Sequence, residues 1–507
     1  MRDDADALAL DGARVLVAGA GSTGASAVRV LRDQGAEPIL VDTRFTDAPA
    51  ELHGVAGVGP ERYAADTDFA GVDLVVTSPG FAPHNPFLTA AAAAGIPIWG
   101  DVELAWRLDQ AGRTGAPRTW LVITGTNGKT TTTSMTEAIL DAAGISVLAC
   151  GNIGLTVLDA LYAQPRADVL AVEMSSFQLH WAPSVRPRAG VVLNVAADHL
   201  DWHGSFAAYR DAKAQVLRGD VAIVGLDDEV AGSLPAGPES RRVGFTLSAP
   251  TAGQLGIAGQ GSDGLLVDAA FADDGAVRTD PQPLTLVRAD RIRPAGPSGR
   301  SDALAAAALC RAIGVPAAAI DAGLSGFAPA AHRGQTVATV GGVDFIDDSK
   351  ATNPHAAQAA IDGHRRVVLI AGGLLKGAPV DDLVRASADR LAGVVAIGQD
   401  RDLIVESLAR HAPQVPAVTV FTGDDGAVNI QRTDGVQVLP ASGASAADAV
   451  MSQAVASAWA LAQADRSGPD AVLLAPAAAS LDMFAGYGAR GDSFAAAAQQ
   501  LAASSEG

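Results

Sequence analysis

Short runs of apolar and β-branched residues recur along the chain, each ended by glycine, proline or a polar residue. Between them lie longer stretches whose apolar residues fall at helical spacing. Strands are predicted at residues 14–18, 38–41 and 74–77, with a helix over 25–34. A second set follows at 121–124, 146–149, 168–172 and 189–193, with helices over 134–143, 206–217 and 301–313. A third set lies at 343–346, 367–370, 393–397, 417–420 and 471–474. Such alternation predicts an α/β protein. The polar stretch 113–119 reads as a linker, and a chain of 507 residues suits about three domains. The expected division is 1–112, 113–327 and 328–507. Residues 227–295, rich in Gly, Pro, Asp and Ala, predict short strands and loops inserted in the second domain.

The strand at 121–124 runs into Gly125-Thr126-Asn127-Gly128-Lys129-Thr130-Thr131, with a helix behind it. Strand, glycine turn, Lys-Thr and helix make a phosphate cradle. Backbone N–H groups approach the phosphates, the helix N-terminus favours negative charge, the lysine reaches the terminal phosphates and a threonine hydroxyl can ligate Mg²⁺. The spacing departs from GxxxxGK[ST], because Gly125 stands only three residues before Gly128.

Composition sharpens this. Of 36 basic residues only four are lysine: Lys129, Lys213, Lys350 and Lys376. Where surface cations have drifted to arginine, a retained lysine marks a place that needs a compact, deprotonatable amine. Lys213 lies on the helix predicted at 206–217, Lys350 in Asp347-Asp348-Ser349-Lys350, and Lys376 beyond Gly372-Gly373. Glu173 and His199 follow predicted strands of the second set, where a carboxylate or imidazole can reach a metal.

Gly19 to Gly24 match G-x-G-x-x-G between a strand and a helix, and Asp42 stands 18 residues beyond Gly24. This fits a dinucleotide-dependent oxidoreductase, but the same device grips any pyrophosphate, including that of a nucleotide sugar. Gly80 closes a tight turn after the strand at 74–77.

A net charge of −20 and a pI near 4.7 argue against general nucleic-acid or anionic-membrane binding. Cys150 and Cys310 stand 160 residues apart in apolar runs and read as free buried thiols. The acidic N-terminus lacks a signal-peptide pattern, and no apolar run reaches membrane-span length. A cytoplasmic protein is expected.

Taken together, the motifs resemble the Mur ligase family, which includes folylpolyglutamate synthase. They are GTNGKTTTT at 125–133, EMSSFQL at 173–179, LNVAADHLD at 193–201, YRDAK at 209–213, DDSKATN at 347–353, GGLLKGA at 372–378 and SLDMF at 480–484. EMSSFQL and SLDMF look like the D-glutamate-adding member. The DNPR motif of the diaminopimelate-adding relative is missing, and folylpolyglutamate synthase would lack the N-terminal glycine fingerprint.

The resemblance implies a Rossmann-like N-terminal domain binding the UDP part of the substrate, a central P-loop ATPase-type domain and a Rossmann-like C-terminal domain. It implies that ATP phosphorylates the carboxylate of UDP-N-acetylmuramoyl-L-alanine and that the amine of D-glutamate attacks the acyl phosphate. A glycine- or serine-ending acceptor is the alternative. The UDP moiety would be held by Ser22, Thr23, Asp42, Thr43, Arg44 and Gly80, and the muramoyl-peptide by Asn152 and Ser175. The loop from Gly125 to Thr131, with Asp302, Arg333 and Asp348, would hold ATP. Thr130 and Glu173 would carry one Mg²⁺, and His199 and Lys213 a second, with Lys213 carbamylated. Lys350, Thr352, Lys376, Ser480, Leu481 and Tyr487 would hold D-glutamate. The enzyme would be a monomer with no nucleic-acid or membrane partner, and its third domain would close over the second.

The chain departs from the family in three places. Gly296-Pro297-Ser298-Gly299-Arg300-Ser301-Asp302 stands for G-x-H-N-x-x-N, His332-Arg333-Gly334-Gln335 for HR-x-E, and Tyr487 for a frequent Phe. The adenine contacts should therefore differ, with ATP use kept.

Overall fold

The computed structural model describes residues 9–46, 50–64, 66–259, 263–278, 282–422, 428–432, 435–439 and 445–505. The acidic residues 1–8, read above for a signal peptide, lie outside the described residues. The chain forms two compact units, Met1–Arg291 with Ser301–Phe327, and Ile292–Arg300 with Ala328–Gly507. The architecture is α/β in three domains, and three sheets form among the described residues.

The first unit holds two of the sheets. At the centre of the six-stranded one, Arg14–Ala18 runs parallel to Glu37–Val41 and Leu74–Thr77. The helix behind it, Ser22–Asp33, starts three residues before the predicted point, so Gly24 already lies inside it. In the nine-stranded sheet Thr119–Thr124 lies between Val169–Glu173 and Ala189–Val192, all parallel. Their C-terminal ends therefore share one edge, where open α/β sheets place ligands. Within residues 227–295 the described residues form the short strands expected there. Their strands Arg241–Phe245 and Gln254–Ala258, then the antiparallel Leu265–Asp268 and Leu284–Arg288, extend the same sheet.

One apolar cluster joins both sheets, including Val15, Leu31, Leu104, Trp120, Val172 and Tyr209. The segment expected as a linker is tied down as well. Buried Asp109 accepts hydrogen bonds from Arg118 N (2.9 Å), Arg118 Nη1 (2.6 Å) and Trp120 Nε1 (2.9 Å).

A second buried ion pair braces the extension. Arg311 donates through Nε to Asp268 Oδ2 at 2.9 Å and through Nη1 to Val315 O at 2.8 Å, and both charged side chains are wholly buried. Its Nη2 reaches Phe271 O at 3.1 Å and Ala272 O at 3.0 Å. Removing one member of such a pair strands the other charge in the interior. Arg311→Ala should destabilise the first unit by about 3–5 kcal/mol. Urea unfolding followed by tryptophan fluorescence measures this, and an unchanged midpoint would show that the pair adds no net stability.

The second unit is built on an eight-stranded sheet, with Val343–Asp347, Ala471–Leu474, Val367–Gly372 and Leu391–Ile397 side by side and parallel. All seven residues of Leu391–Ile397 are buried, as expected of a parallel strand covered on both faces. Cys150 and Cys310 are buried free thiols. Among the described residues no helix is long and apolar enough to cross a membrane.

Candidate active site

The phosphate loop leaves the strand Thr119–Thr124 at Gly125, and its helix spans Lys129–Ala142. The helix begins five residues before the predicted 134. Four consecutive threonines are weak helix formers and blur its start in the sequence. Of the four, Thr133 donates back through Oγ1 to Lys129 O at 2.9 Å, and a turn further on Thr136 Oγ1 donates likewise to Thr132 O at 2.8 Å. Gly128 is left-handed at φ 85°, and a Cβ there would stand 2.3 Å from Asp302 Oδ1. Asp302 also accepts from Thr132 Oγ1 at 3.2 Å, so it lies against the loop. On its other side the loop is gripped by Asn194, which accepts from Asn127 N at 2.9 Å and donates to Asn127 O at 3.2 Å.

Two of the four lysines converge on one carbonyl. Lys129 Nζ donates to Gly125 O at 2.9 Å and Thr126 O at 2.8 Å, and Lys213 Nζ donates to the same Gly125 O at 2.7 Å. Lys213 is 2% exposed and lies 4.7 Å from the ring centroid of Tyr209, whose hydroxyl meets Thr126 Oγ1 at 2.8 Å. Burial first, and then the neighbouring Lys129 charge, push the Lys213 amine well below the ordinary lysine range, with Asp198 and Glu173 pulling the other way.

Glu173 ends its strand 1% exposed. Its Oε1 accepts from Asn152 Nδ2 at 2.8 Å, whereas Oε2 is buried with no hydrogen-bond partner. A buried, unpartnered carboxylate oxygen is the kind of donor a hard divalent cation takes, so the residues present fit Mg²⁺. His199 is left-handed at φ 52°, with its ring 4.7 Å from that of Phe177 and Nε2 at 3.6 Å from Asp198 Oδ2. Burial lowers its pKa, Asp198 opposes, and the lysines at 213 and 129 add to the lowering. Lys129, Glu173, His199 and Lys213 thus gather at one sheet edge. Ser175, beside them, caps the helix Ser176–His180 in a reciprocal pair with Gln178.

At the first sheet, Ser22 and Thr23 open the helix Ser22–Asp33. Asp42 Oδ2 accepts from Ala20 N at 2.9 Å, and its Oδ1 accepts from Arg44 N at 3.1 Å and Nε at 3.2 Å. Burial alone would raise the Asp42 pKa, but these donors outweigh it and hold the carboxyl below the usual range. Thr43 and Arg44 lie in the short turn that Asp42 caps. Gly80 O accepts from Trp202 Nε1 at 3.4 Å.

In the second unit, three strand-end loops meet on Arg490, a residue the sequence did not single out. Its guanidinium is buried and donates through Nε to Ser349 Oγ (2.9 Å), Nη2 to Ser349 O (2.8 Å) and Nη1 to Ala478 O (3.1 Å) and Gly372 O (3.4 Å). Burial lowers its pKa to about 10, with Asp482 and Asp347 working against that. Lys350 Nζ lies 4.1 Å from the centroid of the Tyr487 ring. Thr352 N donates to Lys350 O at 2.8 Å, and Lys376 is left-handed at φ 52°. Ser480 is buried and Leu481 is exposed. Burial pushes Asp348 up to about 7, with Arg333 opposing. The loops pack backbone to backbone: a Cβ on Gly398 would stand 2.6 Å from Gly373 Cα.

Three family descriptions match the chain. They are "Mur ligase MurD-like, N-terminal domain" over residues 13–100, "Mur ligase middle domain" over 123–254 and "Mur ligase, glutamate ligase domain" over 332–478. A UDP-N-acetylmuramoylalanine--D-glutamate ligase of Rhodococcus jostii is 57% identical over 502 residues, covering 98% of this chain and 97% of its own. One from Mycolicibacterium smegmatis is 56% identical, covering 96% of each chain. Among solved structures, MurF from Acinetobacter baumannii aligns with a TM-score of 0.54 at 17% identity, over 92% of this chain and 88% of its own. UDP-N-acetylmuramate-alanine ligase from Thermotoga maritima aligns at 0.51 and 16% identity, over 96% and 99%. At these identities the structures speak for the fold alone. With the full-length relatives and the residues gathered around Gly125, they establish that the chain belongs to the Mur ligase family.

Proposed function

We propose that the chain joins D-glutamate to UDP-N-acetylmuramoyl-L-alanine at the expense of ATP, in the cytoplasmic synthesis of peptidoglycan precursor, and that it works as a monomer. Relatives more than half identical along their whole length carry that name. The observation that carries the chemistry is the convergence of Lys129 and Lys213 on Gly125 O, with the Glu173 carboxylate, one oxygen of which is buried and unpartnered, close enough to act on the Lys213 charge.

In this reading the acceptor carboxylate attacks the γ-phosphorus of ATP, ADP leaves and an acyl phosphate forms. The D-glutamate amine then attacks the acyl carbon and phosphate departs. The loop N–H groups and Lys129 steady the charge on the transferring phosphoryl group. Thr130 and Glu173 would hold one Mg²⁺ and His199 and Lys213 a second. When bound, the ions neutralise phosphate charge and fix its geometry.

A depressed pKa leaves more of the Lys213 amine neutral. A neutral amine adds to CO₂ with loss of one proton, so a buried cation becomes an anionic oxygen ligand suited to Mg²⁺. Ser22, Thr23, Asp42, Thr43, Arg44 and Gly80 would take the UDP group, and Asn152 and Ser175 the muramoyl-peptide. Lys350, Thr352, Lys376, Ser480, Leu481 and Tyr487 would take D-glutamate. The phosphate loop and Asp302, with Arg333 and Asp348, would take ATP.

The test is phosphate release from ATP with the L-alanine-ending acceptor. Release should require both acceptor and D-glutamate, and L-glutamate, lysine or diaminopimelate should not substitute. Release only with a glycine- or serine-ending acceptor would keep the ligase and change its substrate. No release with any acceptor would overturn the assignment.

A further inference from the structure

Behind the site lies a set of buried polar contacts that the chemistry above does not use. The segment from Gly100 to Arg107, which opens the helix Asp101–Gln110 of the first domain, meets residues 178–184, just past Glu173. Gly100 N donates to Trp181 O at 2.8 Å. Asp101, 2% exposed, accepts from the Gln178 side chain, and its Oδ1 is buried with no partner. Gln178 Oε1 in turn accepts from Ser175 N at 3.0 Å. Glu103, fully buried, accepts from Ser184 N at 3.0 Å and from Arg107 Nε at 2.8 Å. Two indoles reach back the other way. Trp181 Nε1 donates to Phe81 O at 3.1 Å and Trp202 Nε1 to Gly80 O at 3.4 Å. The Phe177 ring lies tilted against those of Trp202 and His199, with centroids 4.5 and 4.7 Å away.

As a stabilising device this is a poor choice. Buried carboxylates are dear to desolvate, an unpartnered oxygen adds to that, and a well-packed apolar contact would hold the domains at least as firmly. What directed hydrogen bonds give is a single register. We infer that Asp101 and Gln178, with Trp181 and Trp202, are positioning residues that fix the 78–81 loop relative to the strand end bearing Glu173. The kinetic consequence rests on the ligase reading, because that loop would then set the acceptor against the phosphate loop.

The test compares Asp101→Ala with Asp101→Asn in the full chain. The alanine variant should raise the KM for the UDP-linked acceptor at least about 10-fold, within what a misplacement of up to 1 Å produces. Its KM for D-glutamate should not change. The asparagine variant, which still accepts from Gln178, should restore the acceptor KM. A purely structural role would lower the active fraction, and so kcat, without separating the two KM values. Amide hydrogen exchange is read in parallel: residues 175–181 and 78–81 should exchange faster in Asp101→Ala, and the second unit should not. Unchanged exchange at residues 175–181 and 78–81, or equal shifts in both KM values, would overturn the inference. A wild-type chain that releases no phosphate would overturn the ligase reading instead, leaving the exchange result to decide the positioning role.

Discussion

Replacing Lys213 with arginine is expected to lower the ligation rate by about a thousandfold or more, roughly 4 kcal/mol of transition-state stabilisation, although the formal charge is kept. Arginine keeps its proton, has no amine that can add to CO₂, and is too long for a pocket in which Lys213 is 2% exposed and already bonded to Gly125 O. Lys213→Ala should be inactive too, but should recover in part when acetate or formate is added, because a small carboxylate can stand where the carbamate oxygens were. Steady-state phosphate release measures both variants, and circular dichroism checks that each is folded. An arginine variant with the wild-type rate would remove the carbamate from the mechanism.

Arg490→Ala should lower kcat/KM for D-glutamate by about 100-fold, the scale of a 1 Å misplacement, and should leave the acceptor KM unchanged. The guanidinium is the one described group that bonds Ser349, Gly372 and Ala478 together, and those residues stand in or beside all three loops that would hold the amino acid. Arg490→Lys should do little better, since one ammonium cannot span a hydroxyl and three carbonyls set around a planar fork. If either variant keeps the wild-type D-glutamate KM, the loops hold their shape without the residue.

The contrast between these two positions shows what the sequence made legible. Lys213 stood out because it is one of four lysines among 36 basic residues. Arg490 is hidden by the same bias: it is one of 32 arginines, and nothing local separates a buried fork from a solvated one. The strands at 14–18, 74–77 and 471–474 were readable to the residue, because strands covered on both faces are continuous apolar runs with abrupt polar ends. The start of the helix at Lys129 is blurred because four threonines carry poor helix propensity, and the Asp302 carboxylate that Thr132 meets lies 170 residues away in the sequence. Residues 227–295 carry short strand signals among residues rich in glycine and proline, which do not reveal the sheet they join. Only pairing across the sheet shows that they continue it. Nothing local in the sequence separates Asp101 and Glu103 from surface acids, because their burial depends on partners some 80 residues away.

The contact between Gly373 and Gly398 bears on how this enzyme could be inhibited. At φ 132° and 79°, with 2.6 Å between Gly373 Cα and the place a Cβ of Gly398 would occupy, neither position can accept a side chain without parting the loops. A compound that took its grip from main-chain groups at this crossing would meet a surface fixed by the geometry of the fold. Escape by substitution at either glycine would disturb the neighbouring lysine loop, so resistance would have to arise elsewhere, at a greater distance from the compound.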